Sequence, residues 1–194
     1  MFKFDKKWGS SVKKLACVLY GSPNKSGHTR MLLDTFLGYL PDYDVKIIDS
    51  YHENVHACIG CFSCKTSGKC IYNDMENINY LLEVSDILII ATPVYNLSFP
   101  SPLKAIFDRF QPYFFKRFYM NIKPPIKKNK KAVLLLTQGL DDKRAKHIIS
   151  EQLKMIFTII NADLISSVVW DNIDKNKKIE DIINAIKDAA ALFS

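Results

Sequence analysis

"KLACVLYGSPNKSGHTR" (residues 14–30) is the stretch on which the fold turns. Its first seven residues form an apolar run of strand length, and "GSPNKSGHTR" (21–30) follows with no linker, predicting a helix that begins near His28. A strand running through a Gly/Ser turn into a helix is the layout of a phosphate cradle. Gly21 and Gly27 allow close backbone approach, and Ser22, Asn24, Ser26 and Thr29 offer side-chain donors. The start of the helix adds unpaired N–H groups and a favourable dipole. A nucleotide-hydrolysing P-loop needs G-x-x-x-x-G-K-[ST]; here Gly21 and Gly27 stand one residue too far apart, and His28 takes the place of the lysine. Triphosphate hydrolysis is therefore set aside. A turn that merely caps a helix remains open at this point.

Four further apolar runs read as strands: "VKII" (45–48), "DILIIA" (86–91), "AVLLLT" (132–137) and "DLISSVVW" (163–170). Helical stripes lie between them: Leu32, Phe36, Leu37 and Leu40; Leu103, Ile106, Phe107 and Phe110, started by a Ser101 cap with Pro102 at the first helical position; Ile149, Leu153, Ile156, Phe157 and Ile160; and Ile179, Ile182, Ile183 and Ile186. A weaker helix is expected from Met75 to Val84. Strand and helix alternating five times predict a parallel sheet with helices on both faces. The first, third and fourth strands are continuously apolar, as central strands are, whereas Lys46, Ser166 and Ser167 mark the second and fifth as edges. The expected order is 2-1-3-4-5, which opens a ligand crevice at the carboxyl ends of strands 1 and 3.

The 194 residues suit one domain, read as 14–194 with a Cys-rich loop at 50–74, preceded by an N-terminal extension at 1–13. Hydrophobic content of 48% and charged content of 24% are ordinary for a folded protein, which excludes disordered and disulfide-scaffold classes. The absence of a long apolar run, and of an apolar stretch in "MFKFDKKWGSSVKK", predicts a cytoplasmic location with no membrane partner. The net charge of +7 suits an anionic partner, whether nucleic acid, a membrane or a phosphorylated cofactor. The basic run "KPPIKKNKK" (123–131) lacks interleaved aromatics, so it is read as a solvated loop and no nucleic-acid partner is expected.

Two more loops reach the same crevice. "ATPVYNLSFPSPLKAIFDRF" (91–110) is too apolar for a plain connector, and Pro93, Val94, Tyr95 and Asn96 are placed to meet a flat ligand; simple burial of the strand end is the alternative. "TQG" (Thr137, Gln138, Gly139) ends the fourth strand. Together these motifs resemble the flavodoxin-like NAD(P)H-dependent FMN reductase family, and more closely its iron–sulfur flavoprotein branch. The resemblance implies a flavodoxin-like α/β sandwich that holds FMN. Its phosphate contacts would come from Ser22, Asn24, Ser26, His28 and Thr29, and its ring contacts from Pro93 to Asn96 and Thr137 to Gly139. Many members carry arginine at the position of Asn24, so part of the charge compensation is assigned to Lys25. In the family, the segment running on to Leu103, Lys104, Asp108 and Arg109 also lines the flavin ring. Flavin itself carries the chemistry, so no catalytic side chain is expected. The implied activity passes electrons from NAD(P)H through FMN to a quinone, a nitro or azo compound, or a protein acceptor, in a homodimer or homotetramer. A non-catalytic, redox-sensing flavin module is the alternative from another class.

"CIGCFSCKTSGKC" (58–70) places Cys58, Cys61, Cys64 and Cys70 within thirteen residues, spaced C-x2-C-x2-C-x5-C. Thiolates select iron–sulfur clusters or zinc, and a loop rather than a helix is expected to wrap the group. One [4Fe–4S] cluster, a loop of free thiols, and zinc or a disulfide all remain open. The iron–sulfur flavoproteins have this compact type of motif through Asp74 and Met75, and the likeness implies an electron-transfer role with a ferredoxin-like donor. Cys17 is read as core packing, His52 and His56 as exposed loop residues, and "YFFKRFYM" (113–120) as a flavin cover, a subunit contact or packing.

Overall fold

The computed structural model describes residues 13–193, so the expected extension at 1–13 lies almost wholly outside the described residues. Five parallel strands form one sheet in the order β2-β1-β3-β4-β5. They are β1 (Lys14–Tyr20), β2 (Tyr43–Asp49), β3 (Ile87–Pro93), β4 (Lys130–Thr137) and β5 (Ala162–Trp170). The expected order is the observed one, and its cause is visible in the burial. From Ile87 to Thr92, β3 is covered on both faces, whereas β2 and β5 alternate between covered and open positions as edge strands do.

Alternate residues feed two cores because successive side chains of a strand point to opposite faces. Leu19, Leu88, Ile90 and Leu134 pack under α3 (Glu76–Val84), α4 (Ser101–Asp108) and α6 (Lys143–Ile160). Val18, Ile89, Val133 and Leu135 pack under α1 (His28–Leu37) and α7 (Ile183–Ala191). Leu33 and Phe36 of α1 and Ile186 of α7 are wholly buried there, and truncating one such aliphatic residue to Ala costs about 2–5 kcal/mol.

Local expectations are corrected at four places. Ser101 lies inside α4 with Pro100 at its N-cap, so no serine hydroxyl caps that helix. The stripe that ran on to Phe110 breaks at Arg109, and the aromatic run forms a separate helix, α5 (Gln111–Phe118), with its own proline near the start. Within the Cys-rich loop, Ser63–Ser67 forms one short helix, α2, so Cys64 sits on a helical turn. It starts behind Phe62 and ends at Gly68, both left-handed with φ of 58° and 67°, which lets the chain fold into so compact a turn. Finally, β4 begins inside the basic run, and Lys130 is buried. Its ammonium donates to the carbonyls of Lys128 (3.2 Å) and Ile160 (3.1 Å), closing the carboxyl end of α6. Burial pulls its pKa down to about 8.

Candidate functional site

The carboxyl ends of β1, β3 and β4 converge, and hydrogen bonds tie their loops together. Gly21 donates to the Ala91 carbonyl (2.8 Å), and Val94 donates to that of Thr137 (2.9 Å). The buried hydroxyls of Thr29 and Thr137 lie 2.6 Å apart, joining α1 to the end of β4. Gly21 is a steric requirement: a Cβ there would come within 2.6 Å of Leu103 Cδ2 and 3.0 Å of Thr92 Oγ1, both in fully buried residues. The three loops expected at the crevice are therefore tied into one rim.

Within the first loop, Asn24 folds back. Its Oδ1 accepts from the Ser26 amide (3.0 Å) and lies 3.2 Å from Ser26 Oγ, while the Asn24 carbonyl accepts from the Tyr20 hydroxyl (2.7 Å). A Cβ on Gly27 would stand 2.9 Å from Asn24 Nδ2, so a side chain there would push Asn24 out of its place. Ser22 Oγ accepts from the Asn24 amide at 3.3 Å. The side chains of Ser22, Asn24 and Thr29 thus shape the loop. Gly27 caps α1 in extended conformation without a side-chain bond, and the first amide to enter the helix ladder is that of Met31. Among the described residues, the amides of His28, Thr29 and Arg30 have no acceptor. Lys25 is exposed at the turn, and His28 stands edge-on to Trp170, with ring centroids 5.0 Å apart.

In the second loop, Tyr95 and Ser98 exchange backbone bonds of 2.9 Å around Asn96 and Leu97, both left-handed with φ of 50° and 60°. Tyr95, at the start of this tight turn, is 45% exposed. In the third, Gln138 donates its amide to Trp170, and its side-chain Oε1 is buried with no partner among the described residues. Gly139 accepts from the Asp174 amide at 3.1 Å. Beyond the second loop, Leu103 of α4 stands against Gly21, Lys104 pairs with Asp108 (2.5 Å), and Arg109 bonds to the Cys-rich loop.

Cys58, Cys61, Cys64 and Cys70 line a single cavity of about 390 Å³, together with Ile59, Phe62 and Phe115. All four are free thiols, and burial pushes the Cys64 thiol up, with the other three cysteines adding to the effect. Arg109 forms the inner wall. Its Nη1 donates to the His56 carbonyl (2.7 Å) and to Asp74 (3.1 Å), and its Nη2 to Asp74 (2.6 Å) and to the Tyr72 carbonyl (3.3 Å). The His56 amide and Nδ1 reach the same carboxylate at 2.7 and 2.8 Å, and the His56 ring stacks on Tyr72. Burial works to raise the Asp74 carboxyl, but hydrogen bonds from Arg109 and His56 outweigh it and hold Asp74 well below the usual carboxylate range. Both ends of the Cys-rich loop are thus fastened to one guanidinium.

Residues 15–176 match the model of the NADPH-dependent FMN reductase family. The chain belongs to this family. An iron–sulfur flavoprotein from Archaeoglobus fulgidus is 34% identical over 98 residues, covering 49% of this chain and 44% of that protein. The chain spans about half the length of the curated relatives it matches. Among solved structures, an NAD(P)H:quinone oxidoreductase from Methanothermobacter marburgensis superposes with a TM-score of 0.68 at 16% identity, over 92% of this chain and 95% of that one. An FMN-dependent NADH-azoreductase from Bacillus anthracis, solved with FMN, gives 0.65 at 12% identity, over 93% and 99%. Those two likenesses fix the fold.

The family's implied cofactor fits the residues of the crevice. Three free amides at the start of α1 suit a phosphate, and the buried, unpaired Gln138 Oε1 suits the N–H edge of a flavin ring. A cluster also fits its donor set. Among the described residues, no three His, Cys, Asp or Glu side chains gather as ligands of a single ion, which would hold thiolates about 3.8 Å apart around zinc. Four cysteines nevertheless line one cavity, and thiolates are the ligands that iron–sulfur clusters take. Sequence reading missed the Asp74–Arg109 pair, because 35 residues separate its members. The sequence carried one signal, "DR" (108–109), attributed there to the flavin ring.

Proposed function

We propose that the chain is an FMN-binding oxidoreductase that takes electrons from NAD(P)H and passes them to a quinone, a nitro or azo compound, or a protein. The observation that carries this reading is the rim of three loops locked by the Val94–Thr137 and Thr29–Thr137 bonds, with unclaimed amides at the start of α1. Those amides and Lys25 would hold the phosphate, and His28 would border it. Pro93 to Asn96 and Thr137 to Gly139 would hold the ring, with Tyr95 free to close over it. When bound, FMN supplies the redox chemistry, accepting hydride or single electrons. The chain's own part is positional: the Thr29–Thr137 bond keeps the helix start and the end of β4 in register, and the Tyr95–Ser98 turn sets the height of the tyrosine. Anaerobic mixing with NADPH and with NADH tests this reading. Bleaching of the yellow flavin by at least one is the expected result, and a flavin that stays yellow with both removes it.

A second reading concerns the Cys-rich loop. The four cysteines around one cavity support a [4Fe–4S] cluster, which when bound supplies one-electron transfer to or from a ferredoxin-like partner. Lys69 and Lys116 line an adjoining cavity that shares Cys70, and exposed Ile59, Phe62 and Ile71 line the first, a composition suited to an acidic protein donor. Iron and acid-labile sulfide near four atoms each per chain after anaerobic purification are expected. The reading also includes a homodimer or homotetramer in the cytoplasm, supported by the apolar groove between α5 and α6, where Phe118 and Met155 are 54% and 77% exposed. Among the described residues, no helix is long and apolar enough to cross a membrane.

A further inference from the structure

Arg109 is 3% exposed, and four of its five donor directions are taken or fixed by Asp74, His56 and Tyr72. The fifth donor, Nε, is buried without a partner among the described residues. A buried donor is rarely left unpaired unless a ligand or ion completes it. Because a guanidinium is planar, fixing both Nη atoms on the far side also fixes the direction of Nε. Arg109 and Cys70 line the same two cavities. Of the four cysteines, Cys70 is the one that lines both of these cavities with Arg109.

We propose that Arg109 is a positioning residue of the cysteine site: with an iron–sulfur cluster held there, its free Nε donates to the sulfur of Cys70 and thereby raises the cluster's reduction potential. This rests on the cluster reading above. One-electron reduction adds negative charge to a cluster, and a hydrogen bond to a ligand sulfur stabilises the reduced form more than the oxidised one. The guanidinium keeps its proton in both states, so the couple exchanges an electron alone. Asp74 balances the cation that makes this bond. The pair therefore predicts two shifts of opposite sign: Arg109→Gln removes the donor and lowers the potential, while Asp74→Asn leaves the cation uncompensated and raises it. A merely structural role would loosen the loop in both variants and would not separate them by sign.

The test begins with wild-type protein reconstituted anaerobically, with FMN, iron and sulfide measured separately. A chain that binds FMN but no iron removes the cluster reading and this inference with it, and leaves the flavin reading standing. With the cluster loaded, redox titrations followed by EPR compare wild type, R109Q and D74N, and equal potentials in all three overturn the proposal. If R109Q does not fold, wild-type protein carrying 15N-labelled arginine decides. Pulsed EPR of the reduced cluster is expected to show coupling to one of the chain's four arginines, unchanged in R117K. No arginine coupling overturns the proposal.

Discussion

The crevice rim and the Cys-rich loop lie on the same polypeptide but are built by opposite means. The rim is made where strands end, and its parts are brought together by parallel pairing and by short bonds such as Gly21 to Ala91 and Val94 to Thr137. The Cys-rich loop lies off the sheet and is held by side chains, with Asp74, His56 and Tyr72 gathered on one buried guanidinium. Strand pairing and the bonds between strand ends put the first in place. The Asp74–Arg109 pair is the centre of the second, so the two regions should fail separately.

The largest effect expected is at that ion pair. Asp74→Ala strands the Arg109 cation in the interior, and the loss of one partner of a buried pair costs about 3–5 kcal/mol. Urea unfolding of the variant should show this loss, with flavin binding kept where the variant folds; loss of flavin with an intact cysteine site would break the distinction. The same pair has a pH signature. The Asp74 carboxyl is held below its ordinary value of 3.8, so the folded chain binds fewer protons there than the unfolded chain. Its contribution is therefore complete above pH 3.8 and is lost as the pH falls through the folded-state value. The urea midpoint of wild type should drop between pH 5 and pH 2.5 more steeply than that of Asp74→Asn, and parallel curves would contradict the assignment.

Gly21→Ala should act on the other region. Its Cβ meets the buried Leu103 and Thr92, an overpacking worth about 1–3 kcal/mol. The expected result is weaker FMN retention on dialysis, with iron binding unaltered. A smaller and more exact probe is the pair of hydroxyls at the rim. Thr29→Val or Thr137→Val alone leaves one buried hydroxyl unpaired, at about 1–3 kcal/mol, whereas the double variant removes both partners and should cost less than the two singles added. Additive losses would mean that the contact does not couple α1 to β4.

The same division explains what the sequence disclosed. Strand order followed from which runs were continuously apolar, because burial on both faces leaves a direct mark in composition. The three rim loops were legible because a strand order fixes where a crevice opens. The roles of individual side chains were less so: Asn24 and Thr29 bear the right groups for a phosphate but bond within the protein, and nothing in the residue type separates the two uses. Arg109 was hidden for a different reason. Its partner lies 35 residues upstream, and a buried ion pair leaves no periodic trace. Lys130 looked like one lysine of a solvated run, and only the carbonyl end of α6, brought above it by the fold, shows why it is buried.

The central claim is that flavin is held by the sheet-end rim without help from the cysteines. Bound FMN measured in wild type and in a variant with Cys58, Cys61, Cys64 and Cys70 all changed to Ser tests it most directly. Equimolar FMN in both is the predicted result. Absence of FMN from wild type, or its loss from the serine variant while the fold persists, would contradict the account.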